Sequence, residues 1–140
     1  MWLSRKSDYA IRAVRHCARL SREERASINA IAEAEKIPRD FLAKVLGDLA
    51  RAEILVSFAG NKGGYAMARP AKQINFLDVV EAVDGPIYLN LCTMPGECRC
   101  QAADGCDLCE FWKGLEKSFK AKLQAQHFGK LIGKKPRKKK

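Results

Sequence analysis

No apolar run in this chain approaches the roughly 18 residues that a membrane span needs. The first residues, Met1-Trp2-Leu3-Ser4-Arg5-Lys6, carry no apolar core of a secretory leader. The sequence therefore predicts no membrane partner and a cytoplasmic location, where thiols stay reduced. Enzyme signatures are missing as well. There is no phosphate-cradling glycine loop, no nucleophile paired with histidine at a known motif, and few acidic pairs at defined spacing. Histidine is scarce: His16 and His127 stand alone and suggest no ligand role. These gaps argue against an enzyme and point to no small-molecule substrate. Negative charge is also short, with 16 acidic residues against 26 Lys and Arg, a net charge of +10 over 140 residues. That balance favours an anionic partner without identifying it.

The positive charge is uneven. Residues 134–140, Lys-Lys-Pro-Arg-Lys-Lys-Lys, hold six of the cations. They read as a basic, disordered tail, which as an arm also adds non-specific phosphate affinity. The remaining chain has one domain's worth of sequence, with 47% hydrophobic residues and enough length to bury a core without cross-links.

Periodicity predicts a first helix over 7–19. Ala10, Ile11, Val14, Cys17 and Ala18 lie on one face and Ser7 stands at the cap position. Cys17 on that face reads as a small buried hydrophobe. A second, short helix begins at Ser27 with Ile28, Ile31 and Ala32 inward. Pro38 suits the first position of a third, which buries Leu42, Val45, Leu46 and Leu49. The period then changes. Ile54 to Phe58 reads as a strand, Gly60-Asn61-Lys62-Gly63-Gly64 as a turn, and Tyr65 to Met67 as the returning strand. Three short helices and a glycine-rich hairpin predict a winged helix-turn-helix, mainly α with a small β-hairpin wing, for residues 1–70. Residues 71–91 are expected to form a linking helix (75–83, stopped by Asp84-Gly85-Pro86) and an extended run. A long amphipathic helix follows within 110–133. Its stripe of Leu108, Phe111, Trp112, Leu115, Phe119 and Leu123 suits a homodimer interface, with Lys113, Glu116, Lys117, Lys120 and Lys122 outside.

Residues 92–109 concentrate five of the six cysteines as Cys92-x5-Cys98-x-Cys100-x5-Cys106-x2-Cys109. In a reducing compartment such a cluster predicts metal or redox chemistry rather than a disulfide framework. Soft thiolates suit iron–sulfur clusters, and Gly96 and Gly105 let backbone approach one closely. Zinc and thiol-only redox switching are the alternatives. Cys106-x2-Cys109 has zinc-knuckle spacing, whereas Cys98-x-Cys100 is too tight and five thiols exceed the four zinc needs.

Four stretches together resemble the IscR/NsrR/RirA-type winged helix-turn-helix transcription regulators. They are Leu3 to Ala10, Ile37 to Val56, Gly60 to Tyr65, and Phe76 to Gly85. The resemblance covers the chain to about residue 132. It implies a homodimer that binds double-stranded DNA, and in many members an iron–sulfur cluster (2Fe–2S or 4Fe–4S) that sets promoter choice in response to redox, nitric oxide or iron status. Its three-cysteine pattern maps onto Cys92, Cys98 and Cys106. The fourth ligand it implies is either Asp8, reaching from the partner subunit, or a residue at the position of Cys109. Both remain open here. A cluster-free regulator with structural zinc or a thiol switch is the alternative function, and a small iron–sulfur electron carrier a weaker one, since a carrier needs neither reading helix nor wing. For DNA, the expected contacts are Lys6, Arg39, Asp40 and Lys44 from the helices and Asn61 and Lys62 from the wing. Asp40 also suits a plain helix N-terminal carboxylate. Ala59 and Trp2 depart from the resemblance, since arginine is usual at both positions, and Lys62 is the available substitute at the wing.

Overall fold

The computed structural model describes residues 3–96, 100 and 106–133. Trp2, Cys98, Gly105 and the basic tail lie outside them. The first helix, α1 (Arg5–Ala18), starts two residues before the predicted point. Ser4, not Ser7, is its cap: Ser4 Oγ accepts the Ser7 N–H at 3.0 Å. Ser7 is wholly buried and donates its hydroxyl to Asp84 instead. The inward face of α1 carries Ala10, Ala13, Val14 and Cys17, mostly small residues, so neighbouring elements approach it closely. It packs against the other two helices of the reading domain and the second strand of the hairpin.

The second helix, α2 (Ile28–Glu35), is capped by Ser27 through the Ala30 N–H at 3.1 Å and ends at Lys36 in left-handed geometry. Pro38 precedes rather than opens α3 (Arg39–Arg51), which buries Leu42, Val45, Leu46 and Leu49 as its spacing predicts. The hairpin pairs β1 (Leu55–Phe58) with β2 (Gly64–Met67), antiparallel, Leu55 opposite Met67 and Phe58 opposite Gly64. Residue 26 adds a short bridge to the hairpin. Ala26 N–H donates to Tyr65 O at 3.0 Å, and Tyr65 N–H donates to Ala26 O at 2.8 Å. This close approach needs glycine next door. A Cβ on Gly64, whose φ is +141°, would sit 2.6 Å from the Ala26 oxygen. The hairpin is therefore the wing of a winged helix-turn-helix, with the α2–α3 pair as the reading motif.

Helix α4 (Phe76–Asp84) begins at a reciprocal capping box. Asn75 Oδ1 accepts the Asp78 N–H, and Asp78 accepts the Asn75 N–H, each at 3.0 Å. Gly85, at φ +80°, ends it. The expected extended run before the cysteines is a loop, closed by a 3-10 turn over Leu91–Thr93. Helix α5 (Leu108–Ala125) is shorter than the 110–133 segment suggested. The chain turns at Gln126 and returns, with Asn75 and His127 forming a bridge. Phe128, fully buried, packs its ring 4.8 Å from that of Phe76. The apolar stripe of α5 is divided accordingly. Phe119 and Leu123 line a groove beside α4, whereas Leu108, Phe111 and Leu115 are 62%, 61% and 43% exposed. Among the described residues no helix is long and apolar enough to cross a membrane.

Phe128 joins the last segment to the core, so Phe128→Ala is expected to destabilise the protein by about 3–5 kcal/mol. Urea unfolding checks this; a loss below about 1 kcal/mol would show that the returning segment is not part of the core.

Candidate functional site

Two regions carry the residues singled out by the sequence: the face made by α2, α3 and the wing, and the segment between α4 and α5. On the first, Arg39, Asp40 and Lys44 are exposed along the N-terminal half of α3. Arg39 Nε donates to Asn29 Oδ1 at 2.7 Å, which braces α3 against α2. Asn61 and Lys62 are exposed at the wing tip. A second brace ties this pair to α1. Arg12 donates to the Glu35 backbone oxygen at 2.7 Å, and Arg15 pairs with the Glu35 carboxylate at 3.0 Å. Burial tends to raise the Glu35 pKa. His16 and Arg15 outweigh it and hold the carboxyl below its usual range.

Lys6 is placed differently from its expected role on DNA. Its ammonium pairs with Asp48 at 2.5 Å and donates to the Val83 oxygen at 2.9 Å. It therefore joins α1 to the end of α3 and to the end of α4. The hydrogen bond from Lys6 lowers the Asp48 pKa against a partial burial cost, and Arg51 adds to the effect. Beside it, Ser4 and Ser7 both donate to the same oxygen of Asp84. Three elements meet at one turn of α1.

Asp8 lies on the outer side of that turn, paired with Arg12 at 3.0 Å and 62% exposed. The cysteine segment is where thiols converge. Cys109, in the first turn of α5, places Sγ 4.0 Å from the Cys92 backbone oxygen. The Cys92 pKa is raised, first by burial, then by the neighbouring Cys109 thiol and by the charge that Cys109 and Cys100 carry when ionised. Cys106 is half-buried three residues before Cys109. The soft donor set fits an iron–sulfur cluster or another thiophilic metal. Cys98 is outside the described residues, and among those described no three His, Cys, Asp or Glu residues are grouped to hold a metal ion. Cys17 behaves as its position predicts: it is buried, and burial pushes its thiol pKa up to about 12.

Glu116 was expected on the outside of α5 and is instead 8% exposed. One carboxylate oxygen accepts the Leu89 N–H at 3.0 Å, and the other accepts Lys120 Nζ at 2.9 Å. Burial alone would raise its pKa. Hydrogen bonds from Thr93, Lys120 and Leu89 more than offset that, and the carboxyl is held below its usual range. Leu89 lies three residues before Cys92 on the chain, so Glu116 pins the stem of the cysteine segment to α5. The sequence signal for this residue was only an i,i+4 Glu–Lys pair, which usually marks a solvated face.

A family profile described as "Rrf2: Iron-dependent Transcriptional regulator" matches residues 3–134. The HTH-type transcriptional regulator NsrR of Oceanobacillus iheyensis is 32% identical over 108 residues, 77% of this chain and 74% of that protein. Among solved structures, CymR (YrzC), titled the global cysteine regulator of B. subtilis, superposes with a TM-score of 0.81. It is 20% identical, with 97% of this chain and 99% of that chain covered. IscR of T. potens superposes at 0.73 with 22% identity, covering 92% and 84%. At those identities the two structures show the shared fold.

The Glu116 carboxyl has a lower pKa folded than the ordinary value near about 4.3. Its contribution is therefore full above that value and lost as pH falls through the folded pKa. Glu116→Gln is expected to cost about 1–2 kcal/mol at neutral pH. The gap from wild type in urea midpoint should narrow below about pH 4. A gap constant with pH would remove the ionised carboxylate from the account.

Proposed function

This chain belongs to the Rrf2 family of transcriptional regulators, and we propose that its promoter binding is set by an iron–sulfur cluster held at the cysteine segment. The observation that carries the reading is the approach of Cys109 to Cys92 at the base of α5. Cys109 Sγ lies 4.0 Å from the Cys92 backbone oxygen, and Cys106 precedes Cys109 by three residues. Cys92, Cys106 and Cys98 are the proposed cysteine ligands. The proximity of Cys109 to Cys92 favours Cys109 as the fourth donor. Asp8 of the partner subunit is the competing donor, and its exposure on α1 suits that role. A bound cluster supplies a tie among thiolates that is sensitive to oxidation, nitric oxide and iron supply.

The chain's own residues carry the consequence to DNA. Glu116 accepts the Leu89 N–H and so couples the stem before Cys92 to α5. The same loop leads back to Asp84, which Ser4 and Ser7 bind, and Lys6 continues the path to Asp48 on α3. A shift in the cysteine segment therefore reaches the reading helix through packed polar contacts with two ends. A difference of a few kcal/mol between two head positions is enough to change site occupancy strongly. The protein is proposed to act as a homodimer on double-stranded DNA. The exposed Leu108, Phe111 and Leu115 face of α5 supports the dimer, because such a patch is costly to leave in water. Arg39, Asp40 and Lys44 are the proposed groove contacts, with Asn61 and Lys62 at the wing. Lys6 is left out because its ammonium is used inside the fold.

Anaerobically purified protein is expected to carry visible absorption with iron and sulfide, and Cys92→Ala to lose it. Cys109→Ala should lose most of the iron while Asp8→Ala keeps it; the opposite pattern would move the fourth ligand to Asp8. A colourless protein with stoichiometric zinc, or with no metal and an oxidant-dependent affinity, would overturn the cluster in favour of structural zinc or a thiol switch. For the reading helix, Lys44→Ala should weaken binding to a selected duplex by about 1–3 kcal/mol if Lys44 meets a base edge, or lower the salt slope by about one if it meets phosphate. No change in either quantity would remove α3 from the groove.

A further inference from the structure

The wing itself is poor in cations. From Ile54 to Met67 the only positive residue is Lys62. The structure brings a second cation to it from elsewhere in the chain. The Ala26–Tyr65 bridge lays residues 25–27 along β2, and the absence of a side chain on Gly64 lets them come that close. Arg25 is thereby set on the hairpin. Its guanidinium carbon stands 3.4 Å from the centroid of the Phe58 ring, and one terminal nitrogen donates to the Lys62 backbone oxygen at 3.5 Å. The residue is exposed, and no carboxylate among the described residues forms an ion pair with it. The nearby Glu24 carboxylate is occupied by the Ser21 N–H at 2.7 Å. Arg25 and Lys62 line a groove of about 550 Å³ between the wing and the start of α2, with Asn61 and Glu23 also on its walls.

We propose that Arg25 is a DNA-backbone contact of the wing, a phosphate clamp held flat by Phe58. The proposal rests on the reading of this chain as a winged-helix DNA-binding protein. Arginine stacks on aromatic faces and keeps its planar fork of donors available for bidentate phosphate contact. One of five donors here is engaged, by a long bond, so the outer edge is free. Stacking fixes the fork before DNA arrives, which lowers the ordering cost of the contact. A guanidinium held against the protein surface suits a phosphate at the groove edge better than a base at the groove floor. Contact with phosphate adds affinity and a salt-dependent term while adding no sequence preference of its own. Glu23 lines the same groove, so the two cations Arg25 and Lys62 outnumber its one carboxylate there.

The test uses full-length protein and a duplex selected from a random library by the wild type. Arg25→Ala is expected to bind this duplex roughly tenfold more weakly and to lower the slope of log affinity against log salt by about one per engaged chain. The preferred base sequence should stay the same. Arg25→Lys should restore the slope but only part of the affinity. Phe58→Leu should leave the slope intact and weaken binding, because the charge remains while its fixed orientation is lost. Equal urea midpoints for Arg25→Ala and wild type confirm that the comparison is between folded proteins, and Arg25→Gln serves if the alanine variant is unstable. An unchanged salt slope in the alanine and glutamine variants, or a changed base preference with the slope intact, overturns the phosphate clamp while leaving the DNA-binding reading in place. Failure of the wild type to select any duplex overturns both.

Discussion

The first turn of α1 is the point on which the rest of this structure depends. Within four residues it supplies Ser4 and Ser7 to Asp84, and Lys6 to both Val83 and Asp48. These contacts join the end of the reading helix to the end of α4, the element that leads into the cysteine segment. Polar groups so placed are satisfied only in one relative arrangement of the three helices. A half-made set costs more than no set, because the buried Ser7 hydroxyl would lose its partner. The junction therefore defines a register between α1, α3 and α4 that apolar packing of small residues alone would leave loose. Asp8, the carboxylate that the family resemblance marks as a possible cluster ligand, sits on the next position of the same turn.

The same economy of position governs the cysteine segment. Its stem is held to α5 by a nearly buried carboxylate, Glu116. That carboxylate satisfies the Leu89 amide and shares Lys120 with its own helix. Loop backbone has donors that must find acceptors, and α5 provides one from its inner face. Cys109 enters the segment from the same helix. Cys92 and Cys109 are thus both positioned by α5.

Charge follows a comparable logic on the other side of the molecule. The net charge of +10 contains little information by itself. What matters is that some cations are consumed inside the fold and others are presented. Lys6, Arg12 and Arg15 bind carboxylates and carbonyls between helices. Arg39, Lys44, Lys62 and Arg25 are exposed on the face that carries the reading helix and the wing. Arg25 reaches that face only because Gly64 has no side chain, which lets the chain before α2 run beside β2.

Much of this fold was legible in the sequence. The three-helix pattern, the glycine turn between two short strands, and the stop at Asp84-Gly85-Pro86 each reflect local rules: helical periodicity, turn chemistry and caps. The family resemblance and the grouping of five cysteines were legible too. Boundaries were less so. Ser7 had the chemistry of a cap, but Ser4 took the role because burial against Asp84 claimed the Ser7 hydroxyl. The apolar stripe of α5 read as continuous, yet Phe128 drew the chain back to Phe76, and the stripe was divided between an inner half against α4 and an outer half left open. Glu116 and Lys6 looked like surface charges because sequence carries the residue type and the spacing, while burial depends on which element lies opposite. The sequence by itself determined the elements, the reading motif and the identity of the thiols, since these rest on contacts a few residues apart. Only the tertiary structure decided which thiols meet, which charges are spent on the fold and which cation joins the wing, because each of those depends on segments distant in the chain being brought within a few ångströms of one another.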